Sequence, residues 1–270
     1  MKICILTSWN PWAEVLLGGI LDKYHPHIAG IFIEKKYAGK HPLKLAWTLM
    51  RRSGWRIAAY SAIEMAYCRA TLEIKRLFGI RRIESFHDAA KRYKIPVQIV
   101  DSFNSPEFLG NYRRLEPGLA VLVTVPTILK EPVLSVPKYG TLNFHPAILP
   151  DYKGRMPLLQ TLRERRQFFG ATLHKVVAGV DAGDLVAFIA HYVLQKKSLS
   201  YHSMVLNSLG NELISDVLEF FVEHGLVVTT PQAETGQTFS WPTKEQVDEL
   251  RKVGHPLMRL SDLLELWRML

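Results

Sequence analysis

The sequence predicts an α/β fold, an open and mostly parallel sheet flanked by helices, and three stretches carry that prediction. Lys2 to Leu6, a helical stretch opening at Asn10 and Pro11, and Ile28 to Ile33 read as strand, helix, strand. That order implies a parallel pair joined by a right-handed crossover. Leu119 to Val125 is an apolar run suited to a central parallel strand covered on both faces. Thr141 to His145 is a further strand, stopped by Pro146, which cannot donate to a ladder.

The remaining elements follow in chain order. Asn10 is a natural N-cap with Pro11 at the first helical position, and the helix is expected to run to about Tyr24. Gly18 and Gly19 then fall inside it and not in the strand-to-helix turn, so there is no dinucleotide fingerprint. Ile83 to Tyr93 and Pro106 to Leu115 read as helices around a strand at Val97 to Val100, and a short helix begins between Ile128 and Val133. Met156 to Arg166 is helical, with Leu158, Leu159 and Leu162 inward. Gly170 to Val177 and Leu185 to Leu194 are strands with Asp181 in their hairpin-like connection. Ser198 to His224 is a long amphipathic helix, with Met204, Leu206, Leu209, Leu213, Val217, Phe220 and Phe221 along one side and Gly225 as its stop. Residues 1–225 are thus expected to form the main α/β domain. The tail, 226–270, holds a short strand, a polar segment through Trp241 and Pro242, and two short helices, Lys244 to Lys252 and Ser261 to Met269. So short a segment lacks an independent core and is expected to dock on the main domain.

Composition bounds the class. The chain has 270 residues, 48% of them hydrophobic, enough for one large domain. No apolar run reaches the roughly 18 residues that span a bilayer, and MKICIL, followed at once by Thr7, Ser8 and Asn10, is expected to be a first strand and not a signal peptide. Cys4 and Cys68 provide neither a metal spacing nor a disulfide framework, so no metal is expected and a cytoplasmic setting is the default. The formal charge is +9, yet between Lys35 and Arg82 there are twelve basic residues and two acids, so the excess belongs to one segment. Within it Leu43, Trp47 and Met50, then Ile63, Ala66, Tyr67 and Ala70, recur at helical spacing, giving one or two amphipathic helices with Gly54 as a break. This insertion, 38–83, has two readings. It packs on the domain and shows solvent a charged face, or it docks on an anionic membrane, an acidic carrier domain or a phosphorylated substrate.

The chemistry is concentrated at strand ends. Alternation places Asn143 and His145 on one side of their strand and Phe144 on the other, while Asp181 precedes two small residues in a second turn. An amide donor, an imidazole and a carboxylate together suit acyl transfer. Each also has a plain reading, as a turn residue or a satisfied half-buried histidine.

The segments LNFHPAILPDYKGRMP, GATLHKV and VDAGD, in that order, resemble the family of formyltransferases that use 10-formyltetrahydrofolate. That family includes glycinamide ribonucleotide formyltransferase, the catalytic domain of methionyl-tRNA formyltransferase and sugar-nucleotide N-formyltransferases. The resemblance covers residues 1–37 and 84–195 and fails between 38 and 83. It implies a Rossmann-like sheet and a catalytic set in which His145 stabilises the tetrahedral intermediate and moves protons, Asn143 donates to the oxyanion, and Asp181 holds His145 and a water. It also implies a pterin site at Thr124, Val125, Ile128, Val177, Val180 and Asp181, with Leu119 among its apolar walls. The carboxylate is expected to favour the protonated imidazole. His174 is expected to be structural or acceptor-facing, and Lys153 and Arg155 either meet an acceptor phosphate or are solvated.

By the same resemblance the chain is an N-formyltransferase with 10-formyltetrahydrofolate as cosubstrate and a small or carrier-linked amine as acceptor, a sugar nucleotide foremost. Transfer RNA is less attractive because the tail is short, and the compact purine enzyme lacks the insertion. Other partners are an anionic membrane or acidic protein at 38–83, with nucleic acid disfavoured. Two alternatives stand beside this: a formyltetrahydrofolate hydrolase, and a non-catalytic module that binds membrane or nucleic acid through the basic insertion. A cytoplasmic enzyme is expected, with the membrane periphery left open by the basic helices.

Overall fold

A computed structural model describes residues 1–8, 10–35, 42–80 and 86–269. The strands are β1 (Ile3–Ser8), β2 (Ile28–Glu34), β3 (Val97–Val100), β4 (Leu119–Val123), β5 (Thr141–His145), β6 (Lys153–Gly154), β7 (Phe168–Lys175), β8 (Leu185–Tyr192) and β9 (Thr238–Phe239). The helices are α1 (Pro11–Leu17), α2 (Ile20–Tyr24), α3 (Pro42–Ser53), α4 (Trp55–Leu77), α5 (Phe86–Arg92), α6 (Pro106–Arg114), α7 (Glu131–Leu134), α8 (Pro157–Arg163), α9 (Leu199–His224), α10 (Lys244–Lys252) and α11 (Leu260–Met269). Seven strands form one sheet in the order β3-β2-β1-β4-β5-β7-β8, and β6 pairs with β9. The first five are parallel; β7 runs antiparallel to β5, and β8 to β7.

Strand alternation divides the core into two layers. Ile3, Ile5, Val121 and Leu142 face one side with α1, α8 and α9, whereas Cys4, Leu6, Phe32, Ala120 and Leu122 face the other, against Phe108 and Tyr112 of α6. Burial of β1 and β4 on both faces explains the unbroken apolar runs Ile3 to Leu6 and Leu119 to Val123. The two cysteines are buried and free. Asn10 caps α1 as expected, its side chain accepting from the Trp12 N–H at 2.9 Å.

Several expectations are corrected. The helix foreseen from Asn10 to Tyr24 breaks at Gly18 and Gly19, where Gly19 has φ 74°, and restarts as α2. The short strand expected in the tail is β9, and an isolated bridge joins Thr230 to Leu185. In the insertion, Gly54 does separate two helices, but the buried face is not the one the spacing indicated. Trp47, Met50 and Ile63 are exposed, and Leu49, Ile57, Tyr60, Cys68 and Leu72 are buried instead. Phe220 of α9 is also exposed, while Leu206, Leu213 and Phe221 are inward. The start expected at Ile83 lies outside the described residues, as do Lys36, Lys40, Arg81 and Arg82 and the side chains of Leu43 and Lys44.

The tail meets the rest of the chain at both ends. Asp262 is buried and accepts from the Ser198 N–H at 2.9 Å, and His255 bonds the Lys197 carbonyl at 2.9 Å. Asp248 of α10 pairs with Arg56 of α4, and the Leu263 carbonyl accepts from the Tyr67 hydroxyl. The tail therefore clamps α4 against the domain. Among the described residues no helix is long and apolar enough to cross a membrane.

Candidate active site

The order of the parallel strands reverses direction between β1 and β4, and open α/β sheets collect ligands outside the carboxyl ends of strands at such a point. Here Ser8 Oγ, at the end of β1, donates to the Thr124 carbonyl at 2.6 Å, bridging the two strand ends. Thr124 has φ 57°, so the backbone leaves β4 in a left-handed turn that only a close tertiary fit sustains. A cleft of about 1210 Å³ opens above this bridge. Its walls include Thr124, Val125, Ile128, Val177, Val180 and Asp181. Leu119 does not belong to it: that side chain sits at the far end of β4, in the core, and Leu122 takes its place on the wall. A depression of about 500 Å³ at Arg113, Pro117 and Lys138 is elsewhere and has no carboxylate facing an imidazole.

Asn143, His145 and Asp181 meet in the cleft. Asn143 and His145 leave β5 on one side, as alternation requires, and the Asp181 turn between β7 and β8 folds over them. His145 is 3% exposed, with Nδ1 3.3 Å from Asp181 Oδ2 and Nε2 3.0 Å from the Tyr152 carbonyl. Both ring nitrogens thus face acceptors, and only the imidazolium form can donate to both. Burial opposes that form more strongly. It pulls the His145 pKa down, Asp181 and the Tyr152 carbonyl push it up, and the net shift is below the ordinary value. The expectation of a protonated imidazole is therefore corrected: desolvation outweighs the carboxylate.

Asp181 also has φ 47°, and its Oδ2 accepts from the Gly154 N–H at 2.8 Å. Burial raises this carboxyl, but His174, His145 and the Gly154 N–H together outweigh it and hold the pKa below the usual carboxylate range. Gly154 has φ 93°, and a Cβ there would lie 2.2 Å from the Phe239 carbonyl of β9. The tail strand thus lies directly against Gly154, whose amide meets Asp181.

Further side chains line the site, of which Glu34 and Glu64 were not foreseen. His174 lies directly opposite Asn143 on the antiparallel partner strand; its Nε2 is 3.1 Å from Asn143 Nδ2 and 3.5 Å from Asp181 Oδ1, and its Nδ1 bonds the Lys175 carbonyl at 2.9 Å. With Nδ1 donating, Nε2 is the acceptor that orients the Asn143 amide. Glu34, at the end of β2, lines the cleft and accepts from Thr127 Oγ1 at 2.6 Å and the Phe103 N–H at 3.3 Å; burial raises its pKa despite both bonds. Glu64 of α4 is another wall residue, its carboxyl raised to about 7 by burial against the hydrogen bonds of Tyr60 and Ser200. Position at a strand end was a readable signal for Glu34. None existed for Glu64, because the insertion had no expected orientation. Lys153 is buried beside β9, and Arg155 stacks over Trp241 at 5.1 Å on the cleft wall.

The sequence profile of the formyl transferase family matches residues 73–218, more than half of the chain. The chain belongs to the formyl transferase family. That match takes in Asn143, His145, His174 and Asp181 and reaches beyond the 84–195 stretch of motif resemblance, whereas residues 1–37 and most of the insertion lie before it. Among curated relatives, the methionyl-tRNA formyltransferase of Sulfurihydrogenibium is 28% identical over 160 residues, 58% of this chain and 51% of that one. The Staphylococcus aureus methionyl-tRNA formyltransferase is 28% identical over 151 residues, 56% of this chain and 48% of its own. The chain thus spans about half the length of the curated relatives it matches. Similar solved folds include glycinamide ribonucleotide transformylase 1 of Symbiobacterium toebii, with TM-score 0.59 and 17% identity over 86% of this chain and 94% of that one. A sugar N-formyltransferase of Shewanella has TM-score 0.56 and 13% identity over 88% and 76%. These formyl transferase folds share the mostly parallel α/β sheet described above.

Proposed function

We propose that the chain transfers a formyl group from 10-formyltetrahydrofolate to the amine of a small or carrier-linked acceptor. The observation that carries this reading is Asp181, which joins the Gly154 amide and the His145 and His174 rings inside a cleft at the strand-order reversal. The relatives are named for formyl transfer, and the cleft fits a flat, partly apolar donor: Leu122, Val125, Val176 and Val177 supply walls, and the backbone turn at Thr124 supplies exposed polar edges. The donor brings the activated formyl carbon. Transfer forms one C–N bond to the acceptor, breaks the bond to the folate nitrogen and returns a proton to that nitrogen.

The residues of the chain divide that work. Asn143, held by His174, directs its remaining amide capacity at the developing oxyanion; one such donor is worth about 2.7 to 4 kcal/mol of barrier. His145 takes up a proton in transit, because Asp181 and the Tyr152 carbonyl welcome the charge that burial resists at rest. Asp181 orients the ring through its own bond to Gly154. Arg69 and Arg155 on the cleft wall suit an acceptor that carries phosphate, an amino sugar nucleotide among them.

The test is incubation of the purified chain with 10-formyltetrahydrofolate and a panel of amines, amino sugar nucleotides included, followed by mass spectrometry. One amine gaining the mass of a formyl group is expected. Donor consumed with formate as the sole product would replace transfer by hydrolysis, and donor that neither binds nor reacts would sink the reading.

A further inference from the structure

The buried face of α4 is mixed in polarity. Ile57 and Leu72 are inward, but so are Tyr60, Cys68, Thr71 and Lys75, with Tyr60 bonding Glu64 and Lys75 lying over the Trp267 ring at 5.4 Å. Trp55, Ile63, Ala66, Ala70, Ile74 and Leu77 face outward at helical spacing, with Trp55 67% and Leu77 80% exposed. Just beyond the helix end Phe78 is 73% exposed, and from α3 Trp47 and Met50 add to the same class of surface. An apolar stripe exposed along a 23-residue helix carries an unfavourable hydration cost that a covering surface would relieve.

Charge borders the stripe. Arg51 and Arg52 are exposed, and Arg51 packs over the Trp47 ring at 4.6 Å. Glu73, the exposed acid of α4, is engaged by Arg76 at 3.5 Å. A helix about 35 Å long with an apolar outer face, tryptophans and flanking arginines has the features of one that lies in the headgroup region of a bilayer. The central alanines make this surface shallow, which suits a fluid lipid layer better than a shaped protein pocket. Self-association would bring two strongly basic segments together, since 35–82 carries twelve basic residues and two acids.

We propose that the outer face of α3 and α4 docks on an anionic lipid surface. This stands apart from the formyl-transfer reading, because vesicle binding can be measured without turnover. The same helix that meets lipid with its outer face contributes Tyr60, Ser61 and Glu64 to the cleft with its inner one, so docking would set the reaction site close to the bilayer.

The full chain is mixed with phosphatidylglycerol vesicles or phosphatidylcholine vesicles and floated on a density gradient at low and high salt. Flotation with phosphatidylglycerol only, weakened by salt, is expected. Arg51→Gln with Arg52→Gln should lower the bound fraction about tenfold or more, and Ile63→Ser with Leu77→Ser should abolish it while far-UV circular dichroism is unchanged. Absence of flotation with phosphatidylglycerol at low salt overturns the proposal. So does a dimer in analytical ultracentrifugation that Ile63→Ser dissociates while vesicle binding is unaffected, or retention by an acidic protein carrier with none by vesicles.

Discussion

Asn143 and His174 face each other across the antiparallel pair β5 and β7, with Asn143 Nδ2 3.1 Å from His174 Nε2. The contact ties an amide that alternation places in the cleft to a ring whose other nitrogen is held by the Lys175 carbonyl. His174 is thereby a positioning residue for Asn143.

His174→Ala is expected to lower kcat about a hundredfold, the scale of losing alignment at a reacting centre, with a smaller effect on the donor KM. His174→Gln, which can still accept from Asn143, should recover part of the loss. Steady-state kinetics on the three proteins measures it; equal rates would remove the positioning role.

Asp181→Asn should fold, because asparagine tolerates the left-handed conformation at φ 47°. It should slow turnover about a thousandfold or more, as when an orienting carboxylate is removed from an imidazole. Loss of the negative charge beside His145 removes a contribution that raises its pKa, so the acid limb of the pH-rate profile should move to lower pH. A limb that stays in place assigns the titration to another group.

Gly154→Ala introduces a Cβ against the Phe239 carbonyl at a backbone angle that alanine resists. Loss of about 1 to 3 kcal/mol of stability is expected, with lower activity because the Gly154 amide is displaced from Asp181. Urea unfolding read alongside the rate checks both effects; a neutral substitution would show that β9 yields without consequence.

His202 gives the stability an acid dependence. It is fully buried as a neutral ring, Nδ1 donating to the Ser198 carbonyl at 2.8 Å and Nε2 accepting from the Leu194 N–H at 3.1 Å. Burial drives its pKa from 6.5 down to about 4. Because the folded pKa lies below the unfolded one, this contribution is fully present above pH 6.5 and is lost as the pH falls toward 4. The loss is on the order of 3 kcal/mol. His145, also lowered, acts in the same direction. Urea midpoints between pH 7.5 and 4 should fall less steeply in His202→Gln than in the parent chain, and parallel curves would refute the linkage.

The parallel sheet, its central strands and the pairing of Asn143 with His145 on one side of a strand were legible in the residues alone, whereas Asp181 was singled out by motif resemblance. The former depend on local physics: apolar runs mark strands buried on both faces, Pro146 ends one of them, and a two-residue period sets Asn143 beside His145. Tertiary structure alone decided the rest. His174 joins the site through strand pairing, Leu119 leaves it for the core, and the tail reaches Gly154 through β9, all consequences of contacts distant in sequence. It also decided which face of α4 turns inward. Helical spacing names the apolar side, but the neighbours α4 meets offer Asp248, the Leu263 carbonyl and the Trp267 ring, and a helix turns toward the partners that satisfy it. The state of His145 followed the same logic: the carboxylate was legible in the chain, whereas the depth of burial that outweighs it exists only once the sheet is closed over the ring.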